Sequence, residues 1–171
     1  MKILGIDPGY AILGYGVIEK TGNRFIPCCY GSLTTHMDMP MPDRLELLYD
    51  GLREIIVSEE PEVASIEELY FNNNAKTAIN VGQARGVAML ACIKSGLEIA
   101  EYTPLQIKQA LVGYGRADKH QVQIMVKTIL NLKEIPKPDD TADALAAAIC
   151  HGHSCGNRLR MRQIQEKGAL R

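Results

Sequence analysis

Apolar and polar positions at the start of the chain predict three successive β-strands. Apolar residues and glycine dominate positions 2–7 and 12–20, and apolar residues return over 24–34. A Pro-Gly turn joins the first two segments, and the sequence "KTGN" joins the second to the third. Short turns of this kind connect antiparallel strands. We therefore predict two consecutive hairpins at this end of a sheet.

After the hairpins the apolar period lengthens, and helices begin to alternate with strands. Leu45, Leu48 and Leu52 recur on one helical face until Pro61 ends the pattern. The other predicted elements are strands over 63–71 and 97–104 and helices over 72–96, 105–113, 119–132 and 139–153. Hairpins followed by strand–helix alternation indicate an α/β fold, with a mixed sheet of five strands flanked by helices.

Composition places the chain among ordinary globular proteins. Its 171 residues suffice for one domain with a sizeable core. We assign residues 1–153 to that domain and residues 154–171, which lack an apolar face, to a mobile basic tail. No apolar stretch approaches the roughly 20 residues that span a bilayer, so we expect no membrane contact. Five cysteines without scaffold-like spacing favour reduced thiols and a cytoplasmic protein.

Charge is strongly segregated along the sequence, although the formal net charge is only -1. Residues 38–68 hold ten acids and two bases, whereas residues 69–137 hold nine bases and four acids. The net charge by itself argues against nucleic-acid binding, and solvated surface is the simpler account of any single charge. Segregation of this degree nevertheless allows an acidic protein to present a basic face to phosphate.

Several carboxylates occupy unusual positions. Asp7 ends the first strand, and Glu67 or its neighbour Glu68 ends the strand after the first helix. Asp140 and Asp143 are three residues apart, so they share one face of the last helix. Helix capping or turn formation explains single members of this set. Together they suit a hard cation, Mg²⁺ or Mn²⁺, and a pair of such ions is a common apparatus for phosphodiester hydrolysis.

Four motifs resemble those of the RuvC-type Holliday-junction resolvases, in the same order along a chain of similar length. They are "ILGIDPG...GYGVI", "SIEELYF", "NVGQARGVA" and "DDTADALAAAICH", and they cover about residues 2–153. The resemblance implies an RNase H-like fold and a nuclease that resolves four-way DNA junctions by paired symmetric nicks. It selects Glu67 over Glu68 and implies that four acids hold Mg²⁺ and catalyse the reaction: Asp7, Glu67, Asp140 and Asp143.

The resemblance also implies partners and further contact residues. The family acts as a homodimer and works with the branch-migration proteins RuvA and RuvB. Tyr70 matches a position at which the family often has an aromatic that stacks on a base, although core packing also explains an aromatic there. Lys108 and Lys119 match basic positions near the family's active site. Arg85 and Arg116 are weaker candidates for DNA contact.

The sequence leaves some alternatives open. Cys150, His151, His153 and Cys155 suggest zinc, but no second cluster follows at the required spacing, so we favour ordinary helix-end residues. Gly82 and Gly86 allow close approach either to the sheet of the same subunit or to a second copy; in the family this helix forms the dimer interface.

Other functions also compete with junction resolution. An RNase H-like nuclease acting on another nucleic acid and a junction-binding protein without cleavage are the nearest rivals. A sugar kinase or actin-like ATPase requires a second domain, for which the chain is too short.

Overall fold

The computed structural model describes the backbone of residues 1–68 and 75–169, and the side chains of residues 1–68 and 77–155. The elements in chain order are β1 (Lys2–Asp7), β2 (Ile12–Thr21), β3 (Arg24–Thr34), α1 (Met41–Glu59), β4 (Val63–Glu67), α2 (Ala75–Lys94), β5 (Glu98–Tyr102), α3 (Pro104–Val112), α4 (Lys119–Ile129) and α5 (Asp139–Ala169). In this described part, none of the helices is long and apolar enough to cross a membrane.

The strands form a mixed sheet in the order β3-β2-β1-β4-β5. The three N-terminal strands pair antiparallel, as the two hairpins predict. Strand β4 joins β1 in parallel, and β5 joins β4 in parallel. The predicted α/β class, with antiparallel strands first and parallel strands afterwards, is therefore confirmed.

Helices cover both faces of the sheet and divide the core in two. Leu4 and Ile6 of β1 pack in one apolar cluster with α1 and α2, whereas Ile3 packs in the other with α3, α4 and α5. Successive residues of a strand point to opposite faces. Gly5 and Asp7 therefore share the face of Ile3, on which α5 lies.

Helix α5 approaches β1 and β2 unusually closely because glycines line the contact. A Cβ atom at Gly5 would overlap the carbonyl oxygen of Ala144, and one at Gly14 would overlap that of Asp140. A Cβ atom at Gly16 would overlap the side chain of Leu145. We call these three strand glycines and the α5 backbone above them the glycine seam. The seam fixes the height at which the start of α5 crosses the sheet.

Two predicted boundaries differ from the observed ones by more than three residues. Strand β4 ends at Glu67 rather than residue 71, and residues 69–74 lie outside the described part. Helix α5 continues to Ala169, well past the end predicted at residue 153. Residues 158–167 are mostly good helix formers, so a helix forms there without the apolar face that we required. The assignment of 154–171 to a separate mobile tail stays a prediction.

Candidate active site

Asp7 stands where β1 ends and the chain turns away. The Gly9 N–H donates to the Asp7 carbonyl oxygen at 3.1 Å, which closes the turn immediately behind the aspartate. A Cβ atom at Gly9 would overlap the carbonyl oxygen of Ile12, so the tight turn requires glycine. Strand β2 therefore leaves without covering the Asp7 carboxylate.

Glu67 ends the neighbouring parallel strand on the same face of the sheet. Ile6 is level with Ile66, so Asp7 and Glu67 occupy adjacent strand ends. The Ser65 hydroxyl donates to the Ala147 carbonyl oxygen at 2.7 Å, which shows that Ser65 faces α5. Strand alternation then places Glu67 on the α5 face. The next residue, Glu68, lies beyond the strand, and its N–H donates to the Tyr102 carbonyl oxygen at 2.8 Å.

The start of α5 brings two more aspartates to these strand ends. Asp7 is level with Gly14 across the β1–β2 hairpin, and Gly14 contacts the Asp140 backbone. Asp143 lies one helical turn further along and lines a pocket together with Glu67. The four predicted acids thus meet at one edge of the sheet. We call them the acidic cluster: Asp7, Glu67, Asp140 and Asp143.

Burial and mutual repulsion raise the pKa values of three members of this cluster. Burial, followed by the charges of Asp143, Glu67 and Asp140, raises the pKa of Asp7 from 3.8 to about 8. Burial and Asp143 likewise raise the pKa of Glu67 to about 7. The pKa of Asp143 is also raised, chiefly by burial, although Lys119 opposes the shift. Carboxylates with such values lack a sufficient counter-charge within the protein.

Two lysines face the acids across the same pocket. The pocket has a volume of about 280 Å³, with Lys108 and Lys119 beside Glu67 and Asp143 and with apolar walls that include Ile107. The Lys119 Nζ lies 3.0 Å from Asp143 Oδ2. Lys108 is half-buried, and its charge lowers the pKa of Glu67. The pocket therefore has carboxylates that suit a cation on one side and ammonium groups that suit phosphate oxygens on the other.

The donor set fits a divalent metal ion. All four cluster members offer oxygen atoms, the ligands that Mg²⁺ and Mn²⁺ prefer. In the residues that the structure describes, no three Asp, Glu, His or Cys side chains already stand as a closed metal site. The cluster is consequently a set of converging carboxylates that an ion would draw together, rather than a finished cage.

The weaker predicted DNA contacts have different surroundings. Arg85 forms an ion pair with Glu101 and donates to Met89 Sδ at 3.2 Å, so its guanidinium joins α2 to β5. Arg116 is exposed in the connection between α3 and α4, the helices that carry the two lysines. Tyr70 lies outside the described residues. A DNA-binding role for these three residues stays a prediction.

The histidine and cysteine group at the other end of the domain has local partners. His151 Nδ1 lies 3.0 Å from the Tyr102 hydroxyl, and His151 Nε2 lies 2.8 Å from Cys155 Sγ. Cys150 is buried, and His153 packs edge-on against Phe25. These contacts give the group a structural role, but the interpretation as helix-end residues is wrong, because α5 continues past them to Ala169.

Residues that position the acidic cluster escaped the motif-based prediction. The seam glycines Gly5, Gly14 and Gly16 set the approach of α5, and Ser65 ties β4 to the same helix. Glycine inside a strand often marks a close backbone approach. Gly14 and Gly16 are two residues apart, so their spacing already places both on one face of β2.

Comparison with known proteins gives consistent matches. Residues 3–151 match the family described as crossover junction endodeoxyribonuclease RuvC. The protein of that name from Caldanaerobacter subterraneus subsp. tengcongensis is 58% identical to this chain, over 90% of this chain and 93% of the relative. In Desulforamulus reducens the relative is 60% identical, over 94% of this chain and all of its own length.

A solved structure of Thermus thermophilus RuvC in complex with a Holliday junction substrate is also similar. Its TM-score is 0.84 at 33% identity, with 91% of this chain and 95% of that chain covered. The yeast mitochondrial Holliday junction resolvase Ydc2 has a TM-score of 0.71 at 14% identity, over 96% of this chain and 83% of its own. At this low identity the yeast protein supports the fold alone.

Proposed function

The chain belongs to the RuvC family of crossover junction endodeoxyribonucleases, and we propose that its acidic cluster is the active site with which it resolves four-way DNA junctions. The observation that carries this proposal is the convergence of four carboxylates on one sheet edge beside two lysines. Unpaired carboxylates at a strand end destabilise the fold. Their presence therefore calls for a functional explanation.

The cluster members hold Mg²⁺, for which Mn²⁺ substitutes, and two ions per site suit the reaction. Bound ions supply an activated water and neutralise charge on the phosphate and the leaving oxygen. Asp7 and Glu67, on adjacent strands of one sheet, are the rigid ligands, whereas Asp140 and Asp143 move with α5. The glycine seam therefore sets the distance between the two pairs.

The lysines bind and orient the scissile phosphate. Lys108 Nζ and Lys119 Nζ donate hydrogen bonds to non-bridging oxygens and stabilise the negative charge that develops there. Hydrolysis leaves a 5′-phosphate and a 3′-hydroxyl. Recognition of the junction rests mainly on backbone charge and DNA shape, with Tyr70, Arg85 and Arg116 as further contacts.

A homodimer supplies the second active site that paired symmetric nicks require. Helix α2 presents an apolar stripe with exposed Ile79, Leu90 and Ile93, and among the described residues no neighbouring atom lies within 4 Å of a Cβ placed at Gly82 or Gly86. These five residues fall within about 80° around an ideal helix. A stripe with two open glycines suits close packing against its own copy in a two-fold dimer. Cooperation with RuvA and RuvB rests on family membership alone.

The test is cleavage of a synthetic mobile four-way junction with and without Mg²⁺. The wild-type protein is expected to nick two opposed strands, and DNA ligase should reseal the nicks because each retains a 5′-phosphate. Asp7→Asn should bind the junction and lose cleavage at least about 100-fold. Asp50→Asn, an exposed acid of α1 on the opposite face of the sheet, is the matched control.

The outcomes separate the parts of the proposal. An intact junction in both Mg²⁺ and Mn²⁺ would leave a protein that binds junctions without cutting them. Retained cleavage by Asp7→Asn would remove Asp7 from the mechanism.

A further inference from the structure

Lys119 makes a direct contact with the acidic cluster. Its Nζ lies 3.0 Å from Asp143 Oδ2 and 3.5 Å from Asp139 Oδ2. Among the side chains that the structure describes, this is the ion pair that reaches a cluster member. The same ammonium group faces the pocket in which we place the scissile phosphate. One lysine therefore has two possible anionic partners.

The backbone of Lys119 is fixed, so that only its side chain can exchange partners. Lys119 is the first residue of α4, and a reciprocal capping box secures this helix start. The Gln121 N–H donates to the Asp118 carboxylate at 2.8 Å, and the Asp118 N–H donates to the Gln121 side chain at 2.9 Å. Such boxes stabilise the first turn of a helix. Movement of the ammonium group thus requires rotamer changes alone.

The exposure of the pair indicates that it is exchangeable. The Lys119 side chain is 54% exposed and that of Asp143 is 26% exposed. Solvent-accessible ion pairs are weak, and a doubly charged cation competes with an ammonium group for the same carboxylate. The ion pair is therefore weak enough for a divalent cation to displace the Lys119 ammonium group from Asp143.

We propose that Lys119 is an internal counter-ion of the acidic cluster, which binds Asp143 in the metal-free protein and is displaced when a divalent cation binds. This inference rests on the proposed function, because it concerns the metal site of that function. Displacement frees the Lys119 ammonium group for a phosphate oxygen. Metal binding and the capture of the scissile phosphate are coupled through this one side chain.

The coupling has a measurable consequence in the absence of DNA. Each metal-binding event must break the Lys119–Asp143 pair, so removal of the ammonium group should tighten metal binding. The strength of exposed ion pairs corresponds to about a two- to fivefold change in the dissociation constant. If Lys119 had a merely structural role, its removal would instead loosen the site and weaken metal binding.

The test is calorimetric titration of the DNA-free protein with Mn²⁺. Lys119→Met should bind Mn²⁺ about two- to fivefold more tightly than wild type, and Lys119→Arg, which keeps the charge, should remain near wild type. Lys108→Met is the matched control, since Lys108 lines the same pocket and acts on Glu67 through its charge. Its effect should be smaller than that of Lys119→Met. Circular dichroism verifies that each variant is folded.

A second readout follows the lysine itself. The ε-methylene signal of Lys119 in the wild-type NMR spectrum, assigned by its loss in Lys119→Arg, should shift on titration with diamagnetic Mg²⁺. Unchanged or weaker Mn²⁺ binding by Lys119→Met, with normal binding by wild type, would overturn the counter-ion role and leave the metal site standing. Failure of both proteins to bind Mn²⁺ would overturn the metal site and, with it, this inference.

Discussion

Two groups of glycines in this protein have opposite surroundings. In the seam beneath α5, Cβ atoms at Gly5 and Gly14 would overlap backbone oxygens of the helix. On α2, Cβ atoms at Gly82 and Gly86 would meet no neighbouring atom within 4 Å in the part of the chain that the structure describes. The first group is used within the protomer to bring a helix against a sheet. The second group packs against nothing in the described part of the protomer, which is why we assign it to assembly with a second copy.

The same chemical change, glycine to alanine, should therefore have opposite effects at the two places. The largest effect is expected for Gly5→Ala, because its Cβ would meet the rigid Ala144 backbone rather than a flexible side chain. We expect a loss of about 3 kcal/mol in the free energy of unfolding. Urea unfolding followed by circular dichroism measures it.

Cleavage provides a second measure of the seam. Any variant of Gly5 that folds must lift α5, and with it Asp140 and Asp143, away from Asp7. Junction cleavage should therefore fall more than stability alone explains when it is measured well below the unfolding midpoint. An alanine variant with wild-type stability and cleavage would show that α5 does not need this close approach.

The glycine seam also brings the carboxylates of the acidic cluster close together. This repulsion should make the stability of the protein depend on pH. The pKa of Asp7 is about 8 in the folded protein against an ordinary value of 3.8, chiefly through burial and then through Asp143 and Glu67. The folded state therefore holds a proton that the unfolded state has lost. In EDTA, stability should decrease by several kcal/mol as the pH rises from about 4 to about 8.

Asp7→Asn tests the origin of that slope. The amide cannot ionise, so the variant lacks the carboxyl group whose pKa is raised to about 8 in the folded protein. The variant should therefore be more stable than wild type at pH 8 and should show a flatter profile. Thermal unfolding across this pH range in EDTA decides the matter. A profile as steep as that of wild type would place the responsible group elsewhere.

The sequence supports different parts of this picture to different degrees. Strands and hairpins follow from apolar runs and turn residues, and so does the strand-end position of Asp7, whereas the predicted fourth strand ran past Glu67 to residue 71. The choice between Glu67 and Glu68 depended on family resemblance until the Ser65–Ala147 hydrogen bond showed which face of β4 meets α5. Side-chain orientation in a short buried strand depends on its neighbours, and one sequence does not contain them.

Contacts between distant elements were beyond sequence-based prediction for a related reason. Lys119 and Asp143 lie on different helices, and Arg85 and Glu101 lie on a helix and a strand. Each residue alone is consistent with a solvated charge or with DNA contact. The Lys119–Asp143 pair depends on how α4 and α5 pack together, and the Arg85–Glu101 pair depends on how α2 packs against β5. The chemical character of each side chain was thus predictable from residue type, whereas its ion-pair partner could be identified only from the fold.

The smallest of these effects on protomer stability, and the sharpest test of the glycine comparison, is expected for Gly86→Ala. The open space around Gly86 accommodates the methyl group, and alanine favours the helix over glycine by about 1 kcal/mol. The protomer should therefore unfold at the same or a slightly higher denaturant concentration. In a dimer that packs through the α2 stripe, the methyl group separates the two helices. Sedimentation equilibrium should accordingly show that the Gly86→Ala variant self-associates more weakly than wild type. Unchanged dimerisation would exclude Gly86 from the interface.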